Sequence, residues 1–235
     1  MENVKTKTHE DVEAIYPLSP MQEGMLFHSV SDPDSTAYLS QCTYTYKGVL
    51  NTDDYKRAWQ RVVDQHPVLR TLVLWDQKER PLQLVRRQVT LEWQEEDWRT
   101  SSSEEQCHQL ERFLEHDRHQ SFNFKKAPLM RFALIRMNEE EHRFIWSFHH
   151  MLLDGWSCSL LLSEVFRHYY AFNQGGEVEP NHIPPYKDYI TWLQAQDMKG
   201  AEAFWRKTLK GFTAPTSIHS SLGLQKDESL YCRKL

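Results

Sequence analysis

The segment that most restricts what this chain can fold into is Arg143-Phe144-Ile145-Trp146-Ser147-Phe148-His149-His150-Met151-Leu152-Leu153-Asp154-Gly155-Trp156-Ser157. Its first part is an apolar, aromatic run that reads as a buried strand. From Cys158 to Phe172 the pattern turns helical, with Leu160, Leu161, Val165, Phe166, Tyr169 and Phe172 on the buried stripe. Two histidines, an aspartate and a glycine therefore sit where a strand hands over to a helix. Polar groups held in a loop by a rigid scaffold are well placed for chemistry.

Adjacent residues of a strand point to opposite faces. His150 then shares a face with Phe144, Trp146 and Phe148, and His149 with Ile145 and Ser147. One ring should meet a cavity and the other packing. Zinc ligands must converge, which opposite-facing neighbours do not, so no metal is expected here. His116, His119 and His142 read as surface or packing residues. Taken alone, the pair is equally compatible with buried histidines ahead of a turn.

Bulk properties narrow the classes. The 235 residues suit one large domain or two small ones, and a net charge of -5 gives no clustered basic excess for nucleic acid. No apolar run has the length of a membrane span, and the N-terminus lacks a signal-peptide core. Cys42, Cys107, Cys158 and Cys232 show no paired spacing, so a disulfide framework is not expected and a reduced, cytoplasmic setting is.

Other segments supply the frame. Ser19 caps a helix running from Pro20 to about Val30, with Gln22 completing a capping box. Ala37 to Tyr46 reads as a strand, and Asn51 or Thr52 opens a helix to about Gln65 that Pro67 stops. Val68 to Trp75 reads as a strand in which Arg70, if buried, needs a partner. Short strands are expected at Pro81 to Arg86 and Val89 to Trp93, then a helix from a Ser103–Gln106 box to about His119. Met130 to Met137 and His142 to Phe148 read as an antiparallel pair. Helices follow at Tyr186 to Leu193 and Ala201 to Lys210.

His149-His150-x-x-x-Asp154-Gly155 resembles the core motif of the condensation domains of nonribosomal peptide synthetases, which share the chloramphenicol acetyltransferase fold. Leu18-Ser19-Pro20-Met21-Gln22-Glu23-Gly24-Met25-Leu26-Phe27-His28, His66-x-x-Leu69-Arg70-Thr71 and Tyr186-x-Asp188-Tyr189-x-x-Trp192 resemble further family motifs, in the family's order. Gln65 stands where the family often has arginine, and Tyr189 where it has phenylalanine. The resemblance implies an α/β fold: a chloramphenicol acetyltransferase-like half, with a mixed, mostly antiparallel sheet packed with helices. It implies a leader over residues 1–14, an N-terminal subdomain over 15–210, and a loose tail over 211–235 leading to a C-terminal subdomain.

The family joins a donor acyl or peptidyl thioester to the amine of an acceptor aminoacyl thioester. Both are carried on the phosphopantetheine of carrier proteins, so no cofactor is bound directly. By resemblance, His150 acts beside the reacting atoms and the backbone N–H of Gly155 faces the developing oxyanion. His149, Asp154 and Arg70 support the site, with Arg70 paired to Asp154. Trp156, Ser157 and Met25 are candidates for lining the substrate channel. The implied partners are donor and acceptor peptidyl carrier proteins, the C-terminal condensation subdomain and a neighbouring adenylation domain, with no nucleic acid and no membrane. The rival readings are half of an epimerisation domain, a coenzyme A-dependent trimeric acyltransferase, and a non-catalytic carrier-protein docking module.

Overall fold

The computed structural model describes residues 11–76, 80–179 and 183–213. Two compact units are present, Met1–Ile190 and Thr191–Leu235. The first holds the strands β1 (Val12–Pro17), β2 (Leu39–Lys47), β3 (Thr71–Leu74), β4 (Leu82–Arg86), β5 (Trp93–Asp97), β6 (Met130–Asn138) and β7 (Glu141–His149). Its helices are α1 (Pro20–Ser31), α2 (Thr52–Gln65), α3 (Ser103–Arg118) and α4 (Gly155–Asn173), and α5 (Tyr186–Gln194) begins in it.

The larger sheet has the order β2-β7-β6-β5. Its β2–β7 and β6–β7 pairs are antiparallel and its β5–β6 pair is parallel. Side-chain alternation splits it into two faces. Phe132, Leu134, Phe144, Trp146 and Phe148 pack with Tyr55, Trp59 and Val63 of α2 and Leu161, Val165 and Tyr169 of α4. Ala133, Ile135 and Ile145 face the other way, against Leu110 and Leu114 of α3. The main core is aromatic: Trp59 stacks on Phe144 at 5.5 Å and meets Trp146 edge-on at 4.9 Å. Such ring pairs add specific geometry to the area they bury. A small antiparallel sheet, β1-β4-β3, stands apart, its Tyr16 and Val85 packed with Ile190 of α5.

Each helix starts where a side chain can take up orphaned N–H groups. Ser19 accepts from Gln22 N and the Gln22 side chain returns to Ser19 N, the expected capping box on α1. Asn51 caps α2 and Asp154 caps α4. On α3 the box is Ser102–Glu105 rather than Ser103–Gln106, one residue earlier, and it uses a carboxylate. In the second unit, α6 (Met198–Thr208) is capped by Asp197 and braced by an Arg206–Glu202 ion pair.

Several expectations need correction. Residues 12–14, assigned to a leader, belong to β1, which pairs with β4. The tail expected over 211–235 lies almost wholly outside the described residues. Val68 to Arg70 is not strand: Pro67 opens a 3-10 turn over Pro67–Arg70, and β3 starts at Thr71. The strand expected at Val89 starts only at Trp93. On α4, Leu160 is exposed, and His168 is buried in its stead. Cys42 and Cys158 are free thiols.

Candidate functional site

β7 ends at His149, and the two histidines part there as the strand period requires. The backbone N–H of His149 donates to Leu129 O at 3.0 Å and that of His150 to Tyr38 O at 2.8 Å. His149, 5% exposed, follows the Ser147 face towards α3. It lies against Phe124, ring centroids 5.0 Å apart, and lines a cavity of about 390 Å³ with Tyr38, Trp75 and Phe122. His150, half-buried, turns to the opposite side. There it lines a groove of about 520 Å³.

That groove has a mostly apolar wall, including Met25 of α1, Leu69, Leu152, Leu161 of α4 and Tyr186. Its polar groups are few: Ser19, Gln22, His66, His150, Asp154, Ser157 and Glu164. His66 Nε2 and Glu164 Oε2 pair at 2.7 Å within the lining. An apolar trough with a few convergent polar groups is the usual form of a small-molecule site. Met25 and Ser157 therefore sit where a channel would place them. Trp156 does not: it is 85% exposed and absent from the groove lining.

Gly155 is the first residue of α4, and a Cβ added there would meet nothing within 4 Å. Like Trp156, Gly155 is not among the residues lining the groove, although Asp154 and Ser157 on either side are; its N–H, as the first helical donor, has no intrahelical acceptor. The helix N-terminus adds a partial positive charge. A donor poised for an oxyanion fits this position.

Asp154 and Arg70 are not paired. Asp154 Oδ1 accepts from Ser157 N at 2.9 Å and from Ser157 Oγ at 2.8 Å. These hydrogen bonds hold its carboxyl below the ordinary aspartate range. Arg70, 4% exposed, faces the end of α2. Its Nε donates to Val63 O at 3.1 Å and an Nη to Asp64 O at 3.2 Å, two of the carbonyls that α2 leaves without partners. The other Nη reaches Arg86 O, Arg87 O at 3.0 Å and Glu13 Oε2 at 2.6 Å. Each expected partner thus terminates a helix of its own, one capping the start of α4 and the other the end of α2. The 3-10 turn at Pro67 causes this, because it swings the guanidinium back along α2.

Sequence reasoning saw Gln22 as a cap and as part of a family motif, and gave its amide nitrogen no partner. In the structure its side chain is buried and its Nε2 reaches Met151 O at 3.2 Å. Ser29, two turns further along α1, meets His149 Nε2 at 3.0 Å. The spacing of seven, two helical turns, is the signal that could have linked them.

The fold superposes on solved condensation domains, each about twice the length of the part it matches. One is the first condensation domain of the calcium-dependent antibiotic synthetase in complex with a substrate analogue. The TM-score is 0.76 at 17% identity, over 88% of this chain and 51% of that one. The starter condensation domain of the rhizomide synthetase RzmA gives 0.73 at 20% identity, over 88% and 52%. These likenesses define the fold as half of a chloramphenicol acetyltransferase-like domain. A profile of the condensation domain matches residues 12–229, and the chain belongs to that family. Bacitracin synthase 3 of Bacillus licheniformis is 33% identical over 235 residues, 100% of this chain and 4% of that protein. Surfactin synthase subunit 3 of Bacillus subtilis (strain 168) is 33% identical over 218 residues, 93% of this chain and 17% of that protein. The chain spans about half the length of the solved domains and a small part of the synthetases.

Proposed function

We propose that this chain is the N-terminal half of a nonribosomal peptide synthetase condensation domain. Completed by a C-terminal subdomain, it forms an amide between a donor acyl or peptidyl thioester and the amine of an acceptor aminoacyl thioester. The observation that carries the proposal is the separation of the two histidines: His149 is buried and held by Met151 N–H and Ser29 beside its own cavity, whereas His150 is half-buried and opens onto the groove.

The amine attacks the thioester carbonyl, the carbonyl oxygen becomes an oxyanion, and the C–S bond breaks as the amide forms. His150 takes the proton that the amine sheds and orients that amine. General-base help of this kind is worth about 100- to 10,000-fold. Holding amine and carbonyl together contributes as much or more, because a thioester is already activated. The Gly155 N–H, at the start of α4, donates to the oxyanion. Asp154 and Arg70 act by fixing the ends of α4 and α2 that frame the groove. The thioesters arrive on the phosphopantetheine arms of donor and acceptor carrier proteins, with an adenylation domain as neighbour, in the cytoplasm. Among the described residues no helix is long and apolar enough to cross a membrane.

The test is product identity. The full domain is supplied with a loaded donor carrier and a loaded acceptor carrier, and the acceptor is analysed by mass spectrometry. An acceptor-bound amide is expected. A racemised donor residue supports an epimerisation half, transfer from coenzyme A supports a trimeric acyltransferase, and carrier binding without product supports a docking module. Any of the three overturns the proposal.

A further inference from the structure

The groove histidine has no anchoring side chain of its own among the bonds described, yet both of its neighbours do. Met151 N–H donates to His149 Nδ1 at 3.1 Å. His149 Nδ1 is therefore an acceptor, and its proton sits on Nε2, facing Ser29 Oγ at 3.0 Å. The Ser29 hydroxyl spends its own proton on Met25 O at 2.9 Å, so Ser29 Oγ is free to accept. Two independent contacts thus select the same tautomer.

On the other side, Gln22 Nε2 donates to Met151 O at 3.2 Å. Its Oε1 accepts from Ser19 N at 2.9 Å and from Gln83 Nε2 at 3.1 Å. Gln83 Nε2 also donates to Pro17 O at 2.9 Å, and its side chain is buried. Gln22 and Gln83 donate to each other, Gln83 Nε2 to Gln22 Oε1 at 3.1 Å and Gln22 Nε2 to Gln83 Oε1 at 3.5 Å, and from Gln22 the donors run on to Met151, from Met151 to His149, from His149 to Ser29, and from Ser29 to Met25. The run leaves α1 at Gln22 and returns to it at Ser29.

We propose that Gln22 and Ser29 are positioning residues that clamp the residues before and after His150 to one helix, and so fix where its imidazole stands in the groove. This rests on the proposed role of His150. A neutral His149 is the form the clamp requires. Burial, and then the adjacent His150, push it down to about 4, and a protonated ring would lose the Met151 N–H it accepts.

Gln22→Glu separates the clamp from the cap. A glutamate keeps the acceptor that the Ser19 N–H needs in a capping box, but has no donor for Met151 O. In the full condensation domain, Gln22→Glu and Ser29→Ala are expected to lower kcat for amide formation about ten- to a hundredfold, the usual cost of a misplaced reacting group. KM for the loaded carriers should stay near wild type, while the melting temperature falls in both variants, since Gln22→Glu turns a buried carboxylate towards Met151 O and Ser29→Ala leaves the buried His149 Nε2–H without its acceptor. A purely structural role would lower the melting temperature and leave kcat per folded molecule unchanged. Wild-type kcat in both variants, with His150→Ala impaired, overturns the clamp and leaves the function standing.

A second readout does not use activity. Imidazole nitrogen shifts of His149 in the folded domain should report the neutral Nε2–H tautomer at pH 7. A protonated ring or the Nδ1–H tautomer overturns the clamp, whatever His150→Ala does. If Gln22→Glu fails to fold, Ser29→Ala and these shifts decide.

Discussion

Arg70 and Asp154 give the sharpest quantitative test of the local architecture, because the structure assigns them to different helix ends. Arg70→Ala removes donors from Val63 O, Asp64 O, Arg86 O and Arg87 O and strips Glu13 of its partner. Breaking a buried ion pair costs about 3–5 kcal/mol. Glu13 is more exposed than Arg70 and regains water, so the stranded carbonyls supply most of that cost, each worth about 1–3 kcal/mol and not additive. Asp154→Ala removes only the cap on α4, at about 1 kcal/mol. The assay is denaturant unfolding of the two single variants and the double variant in the full domain. Sites without shared partners add to within about 0.5 kcal/mol. A coupling inside that limit is expected. A coupling of about 1 kcal/mol or more would show the two residues in contact and refute the assignment.

Other outcomes follow from the same contacts. Because the folded-state pKa of His149 lies at about 4, below the ordinary 6.5, its contribution to stability is fully present above 6.5 and is lost as pH falls through 4. That loss amounts to about 3 kcal/mol. Unfolding of His149→Gln at a series of pH values should show a correspondingly shallower fall across this window, and an unchanged slope would contradict it. Met25→Trp enlarges a half-buried groove residue and should slow amide formation at sub-saturating acceptor, with the melting temperature little changed. Wild-type kinetics in that variant would place the substrate path elsewhere.

Much of the architecture was legible because side-chain period and turn chemistry act locally. The alternation of Phe144, Ile145, Trp146, Ser147 and Phe148 placed the two histidines on their correct faces. Ser19–Gln22, Asn51 and the apolar stripe of α2 located two helices closely. What was not legible depends on long-range partners. Glu13 escaped notice because β1 is short and follows a charged, polar stretch, and its strand character comes from pairing with β4. The pairing of Arg70 with Asp154 came from the family resemblance, and nothing local to Arg70 pointed to Glu13. The exposure of Leu160 has a similar origin. It falls on the helical stripe, but lies where α4 borders the groove rather than the sheet. Gln22 shows the limit of a local rule, since the capping box accounts for its carbonyl oxygen and says nothing of where its amide nitrogen goes.

The central claim is that the imidazole at 150 does chemistry in an open groove and the imidazole at 149 does not. The direct measurement is single-turnover amide formation by His150→Ala in the full domain, with both carriers preloaded and folding matched to wild type by melting temperature. The account predicts a rate constant lowered by about 100-fold or more. A rate constant equal to wild type would contradict it.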